Sequence, residues 1–141
     1  GEAEVMANGG IADILISFPI VGSAKLARLM GLARRVTVSC VVDSMAALSG
    51  IARAAYDDEA DLGIMVECDT GGGRCGVQNP EEAAELAAFA AAKNRLRFEG
   101  LMTYPPLGQR AAVDRRLRET KAMIEAQYGK GCLFMPPVEV R

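Results

Sequence analysis

The densest chemistry in the chain is one decapeptide, Glu67-Cys68-Asp69-Thr70-Gly71-Gly72-Gly73-Arg74-Cys75-Gly76. It brings together two carboxylates, two thiols, one guanidinium and four glycines. Three consecutive glycines after a strand-like run imply unusual backbone dihedrals or the close approach of another group. Gly71, Gly73 and Gly76 satisfy G-x-G-x-x-G, which by itself is weak evidence for a dinucleotide site. No acidic residue follows at a strand end about 20 residues later, since Glu99 falls inside its own strand. A phosphate-binding P-loop fails outright, because no Gly-Lys-Ser/Thr follows. Arg74 is the sharper clue. If buried, its charge needs a partner, and Glu67 or Asp69 is the carboxylate at hand. Period-2 alternation puts residues 67 and 69 on one face, with Cys68 opposite. An arginine fixed there can donate to a phenolate, carboxylate or phosphate oxygen. The plainer reading is an arginine that ties its loop to the strand.

Two more polar pairs, Asp43-Ser44 and Thr103-Tyr104, follow other strand-like runs. With the decapeptide they suggest a shared rim, because sites in parallel α/β sheets form at the carboxyl ends of the strands. Asp43 and Ser44 can equally be helix caps and nothing more. Tyr104, ahead of Pro105-Pro106, can be an aromatic packed under a turn.

The elements that must position these residues alternate along the chain. Asp13–Ile20, Val36–Val42, Leu62–Cys68 and Leu96–Tyr104 read as strands. Gly22–Arg35, Met45–Tyr56, Asn79 to about Lys93 and Gln109–Tyr128 read as helices, and residues 2–9 as a helix closing at Gly9-Gly10. Leu26, Leu29, Met30 and Ala33 keep helical spacing, as do Val113, Leu117, Ile124 and Tyr128. Asn79-Pro80-Glu81-Glu82 combines a cap residue, a first-turn proline and carboxylates at the positive end of the helix dipole. Four strands alternating with helices imply βαβ units and a mostly parallel sheet. Spacing alone leaves a barrel and a doubly wound sheet both open.

Composition narrows the chemistry. The 141 residues carry a net charge of −2 and are 50% hydrophobic and 24% charged, enough for one packed domain and wrong for a disordered or collagen-like chain. Without a basic excess, nucleic-acid binding by bulk charge is not expected. Zero histidines remove every His-based triad and most zinc sites. Cys40, Cys68, Cys75 and Cys132 form no C-x-x-C pair; three lie in apolar or glycine-rich strand-like contexts, where a buried thiol is the plainer reading against a disulfide or a metal site, and a reducing cytoplasm fits best. No basic n-region and no run of about 20 apolar residues suggests a membrane or secretory address.

At the decapeptide the sequence resembles a known family. Glu67-Cys68-Asp69-Thr70-Gly71, then Arg74-Cys75-Gly76-Val77 and Pro80-Glu81-Glu82-Ala83, look like the motif after a central barrel strand in fold-type III pyridoxal-phosphate enzymes. Gly100-Leu101-Met102-Thr103-Tyr104 resembles the next strand end. Gly1-Glu2-Ala3-Glu4-Val5-Met6-Ala7 and Asp13-Ile14-Leu15-Ile16 resemble the D-threonine aldolase and D-serine dehydratase branch, with alanine racemase N-terminal domains more distant. The resemblance covers roughly residues 1–128, in order.

It implies a (β/α)8 TIM barrel, of which this α/β chain would hold about four parallel strands with flanking helices. Residues 1–130 would be a partial barrel domain and 131–141 a divergent tail. Arg74 would hydrogen-bond the ring oxygen of pyridoxal 5'-phosphate, Tyr104 would lie beside the pyridine ring or its phosphate, and Glu67 would orient Arg74. A carboxylate at 67, where alanine racemases commonly have lysine, favours the aldolase and dehydratase branch. The family's Schiff-base lysine lies on a strand upstream of Gly1. Lys25, Lys93, Lys121 and Lys130 fall on helices or a helix-end loop and cannot replace it. The Ser-Gly-Gly-type phosphate turn is not matched by 131–141, and the divalent-metal ligands belong to a C-terminal domain absent here.

The expectation is therefore a fragment of a D-amino-acid aldolase or dehydratase, cleaving its substrate to glycine and an aldehyde in the D-threonine aldolase case and inactive alone. Open barrel edges would favour self-association. The alternatives are a non-catalytic pyridoxal-phosphate carrier and a small doubly wound nucleotide binder using Gly71–Gly76.

Overall fold

The computed structural model describes residues 1–129. Four short aliphatic runs form β1 (Asp13–Ile16), β2 (Thr37–Val42), β3 (Leu62–Glu67) and β4 (Leu96–Met102). Between and around them lie α1 (Glu2–Asn8), α2 (Ser23–Ala33), α3 (Met45–Asp57), α4 (Pro80–Ala91) and α5 (Arg110–Tyr128). The sheet order is β1-β2-β3-β4 with every pairing parallel, so each of the first three strands is followed by a helix that carries the chain back to start its neighbour.

Alternate side chains of the strands make the core. Val38, Cys40 and Val42 of β2, Leu62, Ile64 and Val66 of β3, and Leu96 and Phe98 of β4 pack in one buried cluster. The helices complete it with Leu29, Met30, Leu32, Leu48, Ile51, Leu86 and Ile124. Val113 is also buried and Leu117 packs against the cluster from α5. Helix starts follow local chemistry. Ser44 caps α3 by accepting from the Ala47 N–H at 3.4 Å, and Asn79 caps α4 by accepting from the Glu82 N–H at 2.9 Å, with Pro80 in the first turn.

The other face of the sheet is polar near its middle. Ser39 Oγ donates to Glu99 Oε2 at 2.6 Å across the intervening β3, which is possible because Gly63 has no side chain between them. β4 also carries an irregularity. Ile64 pairs with Phe98 but Met65 pairs with Gly100, leaving Glu99 as the extra residue beside Gly100 at φ +139°. Such bulges re-aim the strand beyond them, and Thr103 lies just beyond this one, where it meets the residues that follow β3.

β3 ends one residue early, at Glu67, with Cys68 in an isolated bridge to Val77; two other strands stop two or more residues short, and prolines explain both. β1, expected to Ile20, ends at Ile16 before Phe18-Pro19, and β4, expected to Tyr104, ends at Met102 before Tyr104-Pro105-Pro106. Proline has no N–H for a ladder and restricts the residue before it. Tyr104 therefore sits in the loop beyond the strand. Among the described residues no helix is long and apolar enough to cross a membrane. The expected tail 131–141 with Cys132, Lys130, and the side chain of Tyr128 lie outside the described residues.

Candidate functional site

The rim anticipated at the strand ends is assembled around the 68–76 loop, which is pinned at both feet. Val77 N–H donates to Glu67 O at 2.8 Å and Asp69 N–H to Val77 O at 3.0 Å, so Cys68 and Val77 pair as a parallel bridge and the glycine run becomes a closed excursion. Cys68 N–H donates to Met102 O at 2.8 Å, docking the loop on β4. Thr103 Oγ1 donates to Cys68 O at 2.8 Å and lies 2.9 Å from Thr70 Oγ1, so two hydroxyls clamp the loop against the end of β4.

Inside the loop, Asp69 organises the glycines. Its Oδ1 accepts the N–H groups of Gly71, Gly72 and Gly73 at 2.9, 2.9 and 3.1 Å. These bonds, that from Gly71 foremost, hold the Asp69 carboxyl below the usual aspartate range. The three N–H groups a phosphate would use are thus already occupied by a carboxylate of the chain. That weakens the nucleotide alternative.

Glu67 and Arg74 do not meet as the sequence suggested. Arg74 is exposed, so it needs no buried counter-charge, and its guanidinium lies 4.7 Å over the centre of the Tyr104 ring as a cation–π contact. Asp69 faces its own loop and not Arg74. Glu67 is 1% exposed, and its Oε1 accepts from the Cys75 thiol at 3.2 Å. Its other oxygen, Oε2, is buried without a hydrogen-bond partner. Arg74 and Tyr104 are brought together, and Glu67 ends β3 with its bond to Cys75. Asp43, at the end of β2, is near enough that its charge helps raise the Cys75 pKa, while Ser44 is spent on capping α3.

Cys75 and Thr70 are contacts of the rim to which sequence reasoning gave no role, and Thr103 was placed on the rim without its partner. The Asp69 turn had a local signal: an aspartate just before a glycine run is the signature of a side chain closing its own turn. The hydroxyl clamp had none, because its members are 33 residues apart.

The thiols are poor nucleophiles. Burial pushes Cys40 and Cys68 up to about 12, and burial followed by the hydrogen bond to Glu67 raises Cys75. We expect iodoacetamide at pH 7.5 to leave Cys40, Cys68 and Cys75 unlabelled in the folded chain and to label all three in guanidinium, read by peptide mass mapping. Rapid native labelling of Cys75 would contradict its bond to Glu67. Lys25 lies on α2, Lys121 on α5, and Lys93 just after α4 with its ammonium 4.5 Å over Phe89, so no described lysine stands at a strand end. Among the described residues no three His, Cys, Asp or Glu side chains are grouped to hold a metal ion.

Comparison with known proteins is consistent with this geometry. A family profile described as alanine racemase, N-terminal domain, matches residues 1–138. The chain is 34% identical over 139 residues to a 3-hydroxy-D-aspartate aldolase of Paracoccus denitrificans strain Pd 1222, covering 92% of this chain and 36% of that protein. It is 40% identical over 103 residues to a D-threonine aldolase of an Arthrobacter species, covering 73% of this chain and 27% of that one. The crystal structure of D-threonine aldolase from Filomicrobium marinum matches at TM-score 0.78 and 35% identity, over 89% of this chain and 36% of that chain. An alanine racemase of Clostridium difficile 630 matches at TM-score 0.77 and 16% identity, over 92% of this chain and 34% of that one, which is a likeness of fold. The chain spans about a third of the length of these relatives.

Proposed function

We infer the function from one premise, that the chain belongs to the alanine racemase N-terminal domain family, and propose that its strand-end rim is one wall of a pyridoxal-phosphate site. The four parallel strands with their helices are part of the TIM barrel of that family. The observation that carries the proposal is the Arg74 guanidinium lying on the Tyr104 ring beyond the strand ends, on the loop whose Cys75 is bonded to Glu67, a buried carboxylate with one oxygen that lacks a donor.

These residues fit one edge of the cofactor. Arg74 offers several N–H donors to an anionic ring oxygen, and Tyr104 offers a flat apolar face beside it. Glu67 is buried at the end of β3 and bonded to Cys75 beside the arginine in the chain, and the Thr70–Thr103 clamp keeps loop and strand end in register. Bound cofactor would supply an electron sink for bond cleavage at the α-carbon of an amino acid. Groups for its phosphate and for covalent attachment are not among the described strand-end residues, so the described residues account for part of the wall and we expect no turnover from the chain alone.

For the substrate we propose a 3-hydroxy D-amino acid, cleaved to glycine and an aldehyde when it is D-threonine. Both D-threonine and 3-hydroxy-D-aspartate, the substrates named for the two aldolase relatives, carry a hydroxyl one carbon from the reacting centre. Cytoplasmic location and a metal outside these residues belong to the same proposal.

Titration with pyridoxal 5'-phosphate, followed by quenching of tyrosine fluorescence, tests it. The expected result is saturable binding that Arg74→Ala weakens roughly 10-fold or more, the scale of a charge-assisted hydrogen bond of about 1.5–3 kcal/mol. Preference for NAD over pyridoxal phosphate, or an Arg74→Ala variant that binds as well as the parent, would overturn it.

A further inference from the structure

We propose that Cys75 is a positioning residue which, by holding one oxygen of Glu67, leaves the other to orient Arg74 toward an anionic ligand. The inference rests on the reading of this rim as a pyridoxal-phosphate wall. Three observations carry it. The Cys75 thiol donates to Glu67 Oε1 at 3.2 Å. Glu67 is 1% exposed, with Oε2 buried and unpartnered. Arg74, next to Cys75 in the chain, rests on the Tyr104 ring and makes no salt bridge with a described carboxylate.

A buried carboxylate is costly unless its lone pairs find donors, so an oxygen left without one marks a partner still to come. An anionic cofactor is the wrong partner for a bare carboxylate, because like charges at short range in a poorly solvated site repel strongly. The cation at hand is Arg74. Its charge and that of Glu67 both act on the Cys75 thiol, in opposite directions, so each lies within electrostatic reach of the sulfur. The thiol bond stops the carboxylate from turning, so Oε2 keeps one direction. When a ligand oxygen offers Arg74 a second acceptor, the guanidinium leaves the aromatic face and bridges Glu67 Oε2 and the ligand. The sulfur never touches the ligand. It acts through the carboxylate and then the arginine.

The test is a double-mutant cycle on the full chain, with pyridoxal 5'-phosphate as the titrant. Cys75→Ala is expected to weaken binding about 3- to 10-fold. Cys75→Ser, whose hydroxyl can still donate, is expected to bind within about 2-fold of the parent. In an Arg74→Ala background, Cys75→Ala is expected to change nothing further, because the residue through which it acts is gone. A purely structural thiol would weaken both backgrounds equally, and that result, or failure of serine to rescue, overturns the relay. If the parent chain binds no pyridoxal phosphate, the cofactor reading fails first, and the relay is judged by its first link from melting curves. Cys75→Ala must then melt a few degrees lower and Cys75→Ser near the parent, with the difference vanishing in a Glu67→Gln background. Identical melting of Cys75→Ala and parent would end it.

Discussion

Gly76→Ala is expected to destabilise the chain by about 3 kcal/mol and to unseat the loop that carries Arg74. Gly76 has φ +118°, a conformation that costs an L-residue roughly 1–2 kcal/mol. A Cβ there would also stand 2.4 Å from Asp69 N and 2.7 Å from the carbonyl carbon of Cys68. Those atoms are backbone at the pinned foot of the loop and cannot swing aside, so relief must break the Cys68–Val77 bridge or distort it, a strain of roughly 1–3 kcal/mol. The expected fall in melting temperature is about 10 °C for a domain of this size. Gly73→Ala is the control. Gly73 also has positive φ, +62°, but its Cβ would meet nothing within 4 Å, so only the backbone cost of about 1 kcal/mol applies. Equal melting of the two variants would show that the close approach at Gly76 does not constrain the loop.

The contrast between these glycines marks what a sequence can convey. All three positions of the G-x-G-x-x-G pattern look alike as letters. Strand and helix identities were legible because their signals are local: runs such as Thr37–Val42 against the apolar spacing of α2 and α3. The family resemblance was legible too, expected over residues 1–128 and matched over 1–138. Partnerships set by the return path of the chain were not. The pairing of Arg74 with a carboxylate assumed that Arg74 is buried, yet whether the loop turns inward depends on Val77 coming back to pair beside Cys68. Once it does, Cys75 reaches Glu67 and Arg74 is carried out onto Tyr104. Tyr104 itself was placed at the right end of the right strand, but its plainer reading as an aromatic packed under a turn does not hold. Pro105 and Pro106 free it from the ladder and do not bury it under a turn, and it is 63% exposed.

Gly63→Ala should injure the sheet and not the loop, at a cost of about 2–5 kcal/mol. The Cβ it adds would lie 2.2 Å from Ser39 Oγ and 2.5 Å from both Cδ and Oε1 of Glu99. Neither neighbour has an easy retreat. Ser39 has a short side chain fixed on β2, and Glu99 is held by Ser39 at 2.6 Å and by Arg97 Nε at 2.9 Å. Pushing them apart breaks a charge-assisted hydrogen bond to a carboxylate that is only 12% exposed, worth about 1.5–3 kcal/mol, and adds strain of similar size. The lower unfolded-state entropy of alanine returns about 0.4–1 kcal/mol. A second substitution identifies the cause. Ser39→Ala alone should cost about 1.5–3 kcal/mol for the lost bond, but in the Gly63→Ala background it removes the closest clash and should cost nothing or restore stability. Strict additivity in urea denaturation would refute the steric account. Hydrogen exchange separates the two glycines by location: Gly63→Ala should loosen the amides of β2, β3 and β4 together, because Ser39, Gly63 and Glu99 link all three strands. Gly76→Ala should confine its effect to residues 68–77 and the end of β4. A sheet-wide response to Gly76→Ala would mean that the loop which carries the candidate site is also a structural closure of the strand ends.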